Sequence, residues 1–165
     1  MGRPVPPASL IPAAAPVTDD DRFRTAARTY LGYALLYELG GVYLVSQGIG
    51  VPAAAGARGR VIYTIFWAIV GLIPLLGVPY LLRRPRTWFE RWVVSRRDFA
   101  RILALFMAYR AFKVAQVALR GETAAVAAPW GGLLTFRAGA LVFLLVTLLA
   151  LVFVARAAWH AEAQA

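Results

Sequence analysis

The chain predicts an all-α integral membrane protein with four transmembrane helices, both termini inside, and a short interfacial amphipathic helix between the second and third. Four apolar stretches, roughly 30–49, 61–82, 102–119 and 133–154, each approach the ~20 residues that a helix needs to cross a ~30 Å hydrocarbon core. The composition is 61% hydrophobic with a mean hydropathy of +0.64, more apolar surface than a soluble domain of 165 residues could bury. Basic residues crowd on alternate sides of these stretches. Arg3, Arg22, Arg24, Arg28, the seven arginines between 83 and 101, and Arg156 fall on one side, and only Arg58, Arg60 and Arg120 on the other. Twelve against three places both termini and the 83–101 loop in the cytoplasm, because short cytoplasmic loops retain Lys and Arg. The expected location is the inner membrane of a bacterium, as a multi-pass protein.

Residues 1–28 open as a Pro- and Ala-rich stretch with no sustained apolar core after a basic start. They are expected to form a disordered cytoplasmic tail, with no cleaved signal peptide. Residues 29–159 form the bundle and 160–165 a second short tail. In the first span, Tyr30, Tyr33 and Tyr37 make an aromatic stripe of the kind that usually packs. The second contains Gly71, Pro74, Gly77 and Pro79, which predict a kinked or locally irregular helix in its cytoplasmic half.

The loop that follows is the best-punctuated segment. Thr87 and Glu90 have the spacing of a reciprocal helix cap, and Ser95 with Asp98 repeats it just before the third span. Between the caps, Trp88, Phe89 and Trp92 fall on one side of a short helix suited to the headgroup layer. Arg83, Arg84, Arg86, Arg91, Arg96 and Arg97, with Trp88 and Trp92, are therefore the candidate residues for docking anionic lipid or a partner. Trp130 and Trp159 bracket the fourth span at the depths that indole rings prefer.

A charge at the bilayer centre costs from ~2.5 kcal/mol upward, so Glu38, Arg110, Lys113 and Arg137 need partners, water or a route to the interface. Glu38 and Arg110 each lie eight residues into their spans from the same side, ~12 Å deep at 1.5 Å per residue. Equal depth predicts an intramembrane ion pair between Glu38 and Arg110 that joins the first and third helices, with Lys113 on the face of Arg110. Ala34 and Gly41 flank Glu38 and would let a neighbouring helix approach closely. Arg137, near the outer end of the fourth span, can reach the interface. Lys113 either snorkels to the interface as well or needs an anion, which a lipid, an anionic ligand or an acidic residue of another subunit could supply.

Composition also excludes much. With no cysteine there are no disulfides, thiolate metal sites, iron–sulfur clusters or thioether haems. The single histidine, His160, lies past the last span, so no cofactor hangs between two histidines of this chain. No cofactor is expected to be covalently bound, and a lipid or pigment at the bundle surface stays open. One carboxylate in the spans cannot build a metal site or a nucleophile–base pair, so no catalysis is expected. The net charge of +10 flanks apolar spans instead of gathering on one folded face, which argues against nucleic acid.

The expected function is thus a non-catalytic accessory or scaffold subunit of a larger membrane complex, energy-converting, photosynthetic or transport, with other integral membrane subunits and anionic phospholipids as partners. One stretch gives an alternative. YLGYALLYELGG, residues 30–41, resembles the first helix of the small multidrug resistance transporters, where a tyrosine-leucine-glycine start precedes a lone membrane glutamate. The resemblance implies that Glu38 is the coupling carboxylate of a proton-coupled exporter. The cations Arg110 and Lys113 in the third span depart from that family's pattern.

Overall fold

The computed structural model describes residues 18–89, 91, 94–120 and 125–160. Four long helices dominate: α1 (Asp19–Ser46), α2 (Gly56–Leu82), α4 (Arg96–Leu119) and α5 (Phe136–Trp159), with a single turn, α3 (Arg86–Phe89), between the second and the third of them. Three segments, Ala53–Leu82, Arg96–Leu119 and Phe136–Trp159, are long and apolar enough to cross a membrane. The protein is mostly helical and of the multi-pass membrane type. The third of the four apolar stretches, which carries Arg110 and Lys113, is among these segments. The helix with Glu38 and four tyrosines, α1, is not.

The helices stand in the order α2, α1, α5, α4, with α2 and α4 barely touching across the remaining side. Consecutive long helices run antiparallel, so Thr18, Leu82, Arg96 and Trp159 share one end, here the termini end. A small core lies toward it. Phe23, Ala26, Ala27, Tyr30 and Ala34 of α1 meet Leu75 and Leu82 of α2, Ala100, Ala104 and Met107 of α4, and Ala150, Val154 and Ala157 of α5. On α4 the buried positions Ala100, Ala104, Met107 and Ala111 follow the three-and-four spacing of one helix face. Alanine dominates because helices in lipid gain by close backbone approach rather than by escape from water.

α1 begins well ahead of the apolar stretch. Asp19–Arg28, expected in the disordered tail, are helical, and Phe23, Ala26 and Ala27 lie at the centre of the core. Residues 1–17 of that tail lie outside the described residues. The early start has a local cause in Thr18. Its Oγ1 accepts from the Asp21 N–H at 3.2 Å and donates to Asp21 Oδ2 at 2.7 Å, closing the first turn. The Thr18 hydroxyl, with help from Arg24, also holds the Asp21 carboxyl below its ordinary value of 3.8. A depressed carboxylate stabilises the fold above that value and loses its contribution as pH falls through the lower, folded pKa. Thr18→Ala should therefore lower the melting temperature in detergent by about 2–4 °C at neutral pH. The gap to the parent should narrow below pH 4, which a pH series of thermal melts would read.

α2 continues as one helix, Gly56–Leu82, through both Pro74 and Pro79, without a break in its cytoplasmic half. Pro79 is buried against the bundle, and Pro74 faces outward. α4 starts as the spacing predicts. Ser95 caps it, accepting from the Asp98 N–H at 3.1 Å and donating to Asp98 Oδ2 at 2.6 Å. Of the expected interfacial helix only α3 is seen, and Glu90 and Trp92 lie outside the described residues.

At the far end, a two-stranded hairpin replaces the expected start of the fourth helix. β1 (Ala125–Ala127) pairs antiparallel with β2 (Leu133–Thr135), and Gly131 and Gly132 take the positive φ that the tip requires. Thr135 then caps α5, accepting from the Ala138 N–H at 3.2 Å. The Tyr43 hydroxyl at the end of α1 donates to the Ala127 carbonyl, tying the hairpin to the bundle.

Candidate functional site

Glu38 is buried, with only 9% of its surface exposed, yet it does not pair with Arg110. Its Oε1 has no hydrogen-bond partner among the described residues. The carboxyl lies directly on Gly71 of α2, so close that a Cβ built there would fall 1.5 Å from Oε2. Arg110 turns elsewhere and stacks its guanidinium on the Tyr37 ring, 4.2 Å from the centroid. The expected ion pair is thus corrected. Tyr37 and Glu38 are adjacent on α1 and point about 100° apart, as 3.6 residues per turn requires. Tyr37 takes the α5 side, where Phe143 packs on it at 5.2 Å and on Tyr33 at 5.8 Å. Glu38 is left facing α2, at the one glycine that makes room.

The two helices carrying these residues still meet, through long side chains. Besides Arg110 on Tyr37, Arg96 at the head of α4 reaches Asp20 of α1 at 2.8 Å. Lys113 lies on the exposed face of α4, its ammonium 5.8 Å from the Tyr109 ring centroid. Arg137 is exposed in the first turn of α5, next to the hairpin.

The arginine segment divides into inward and outward members. Arg96, a candidate for lipid docking, is 8% exposed and turned inward. It donates to Asp20 Oδ1 at 2.8 Å and to the Arg84 carbonyl at 3.2 Å, and lies over the Phe23 ring at 4.0 Å. Arg97 donates to Asp19 at 3.3 Å. These contacts consume the acidic start of α1, which sequence reasoning assigned to a tail. Recurrence of the Thr-x-x-Asp cap at 18–21, matching Ser95–Asp98, was the available signal.

Arg83, Arg86 and Arg91 are exposed. The Arg84 guanidinium lies 4.1 Å over Tyr80 and 5.8 Å from the Trp88 ring. Trp88 meets Phe89 edge-on at 5.0 Å. Trp92 is outside the described residues. Chemically, this end offers a basic, aromatic-backed surface, whereas the middle of the bundle offers one unpaired acid and one outward lysine. Comparison with protein-family models, curated proteins and solved structures finds no match to this chain.

Proposed function

We propose that this chain is a non-catalytic subunit of a larger integral membrane assembly, crossing a bacterial inner membrane four times with both termini and the arginine segment in the cytoplasm. In support, α1 spans ~42 Å at 1.5 Å per residue over its 28 residues, and it packs between α2 and α5 in the same bundle as the three apolar helices. The observation that carries the subunit reading is Lys113. It stands on the outer face of α4, seven residues or ~10 Å from Arg120 at the helix end, while the one carboxylate of the spans is turned to α2. A membrane-depth ammonium on an outward face is best matched by an acidic side chain of a neighbouring helix.

Lys113 is exposed, so Lys113→Gln should leave the fold intact and release partner subunits from the protein purified in mild detergent, read by mass spectrometry of what co-purifies. A lone, monodisperse parent protein would overturn the reading. Topology is tested separately. The chain has no cysteine, so Thr87→Cys and Trp130→Cys give single labelling sites. In intact cells, an impermeant maleimide should reach position 130 and not position 87.

A second reading has one observation in its favour: Glu38 is buried without a cation beside it, as the coupling acid of a proton-driven exporter would be. On that reading, dye export by proteoliposomes under a pH gradient is abolished by Glu38→Gln. Export that survives the change, or is absent from the parent, removes it.

A further inference from the structure

We propose that the groove between α1 and the last turns of α2 seats one anionic phospholipid, with its acyl chain on Leu31, Leu75, Leu76 and Pro79 and its phosphate held by Arg83 and Arg84. The groove has a volume of about 510 Å³ and is lined by these side chains together with Tyr80 and Pro85. Its chemistry changes along its length. From Leu75 to Pro79 the floor is apolar, and from Leu75 to Arg83 the helix rises ~12 Å at 1.5 Å per residue. The lining of the groove ends at Leu75, one turn short of Gly71, where the Glu38 carboxyl of α1 lies on α2. This order of side chains suits an occupant that is apolar at one end and anionic at the other.

The mouth carries positive charge that no carboxylate among the described residues neutralises. Asp19 and Asp20, the nearby acids, are engaged by Arg96 and Arg97. Among the described residues no carboxylate pairs with Arg83 or Arg84. The Arg84 Nε is buried without a hydrogen-bond partner, and its guanidinium plane is held over Tyr80 at 4.1 Å. With Nε closed off, the terminal amino groups of this pre-positioned guanidinium, beside a second arginine, are the donors that suit the paired oxygens of a phosphate diester. A partner helix would fill the trough but would not require two arginines at one end of it. The inference builds on the reading that the arginine-rich end faces an anionic leaflet, and it adds a single seat to that general attraction.

The test is native mass spectrometry of the full chain in a neutral detergent, titrated with phosphatidylglycerol, phosphatidylcholine or inorganic phosphate. One phosphatidylglycerol should be retained per chain in preference to phosphatidylcholine. Arg83→Gln with Arg84→Gln should weaken that retention roughly tenfold, the scale of a lost charge-assisted hydrogen bond. Leu76→Trp, at a position 62% exposed, should fill the trough and weaken retention with both arginines in place. Arg156→Gln, an exposed arginine at the same end but off the groove, should leave it unchanged. Equal retention of the two lipids, competition by inorganic phosphate alone, no effect of Leu76→Trp, or an equal loss with Arg156→Gln would each overturn the proposal. The assay needs no partner subunit, so a chain that co-purifies with others yet retains no phosphatidylglycerol sinks this inference alone.

Discussion

Arg96→Ala is expected to destabilise the bundle by about 2–3 kcal/mol. Removing one partner of a buried ion pair costs about 3–5 kcal/mol when the other charge stays buried. Here the figure must be discounted, because Asp20 is 61% exposed and rehydrates once released. What remains is the Arg84 carbonyl without its donor, the Phe23 ring without its cationic cover, and Asp19 at 30% exposure with one cation fewer. Arg96→Lys should recover less than half of the loss. A single ammonium cannot reach the carboxylate and the carbonyl and also cover the ring as the wider guanidinium does. Thermal unfolding in detergent, followed by tryptophan fluorescence, gives the comparison, with Arg97→Ala as the reference. Arg97 is more exposed than Arg96, so its removal should cost less than half as much. Equal melting temperatures for the two alanine variants would show that Arg96 does not tie the three helix ends together.

Much of this arrangement was legible along the chain and little of it across the bundle. Apolar runs of membrane length located four helices, and the Ser95–Asp98 spacing located the start of α4 to the residue. The start of α1 escaped because three consecutive aspartates after a proline-rich stretch look solvated, although Phe23, Ala26, Ala27 and Tyr30 already show the spacing of a buried face. The hairpin escaped for the opposite reason. Leu133 and Leu134 extend an apolar run, and only the Gly131–Gly132 pair and the capping Thr135 mark where the helix begins.

The Glu38 site failed on geometry. Counting residues from a span end gives depth, but a pair also needs matching azimuth, and that is set by which neighbour wins each face. Tyr37 brings a ring that Phe143 and Arg110 both cover, so it claims the side facing α5 and α4. Gly71 was legible only as a kink marker. Its role as the space beneath a carboxyl depends on the rotation of α2, which no local pattern encodes.

Gly71→Leu is the second large expected effect, and Glu38→Ala should reverse it. Alanine at 71 would displace only the flexible end of Glu38 and cost little. A leucine needs the volume that the whole carboxyl occupies, so α1 and α2 must part. Overpacking of this kind costs about 1–3 kcal/mol, and here it would also unseat Leu75 and Leu82, which anchor α2 in the core. Glu38→Ala on its own is expected to be neutral or stabilising. It removes a buried acid whose Oε1 has no partner, and so relieves a desolvation cost without breaking a hydrogen bond. In the double variant the leucine occupies the vacated space, and the coupling between the two changes should exceed about 1 kcal/mol, the range found for residues in direct contact. Melting temperatures of the four proteins in one detergent close the cycle, and strict additivity would mean that residues 38 and 71 do not touch. A stabilising Glu38→Ala would also bear on function, because an acid that lowers stability where it sits has no structural reason to be there. Proton exchange at that carboxyl, measured on the parent and on Gly71→Leu with the two Glu38→Ala proteins as blanks, would then be the activity to look for.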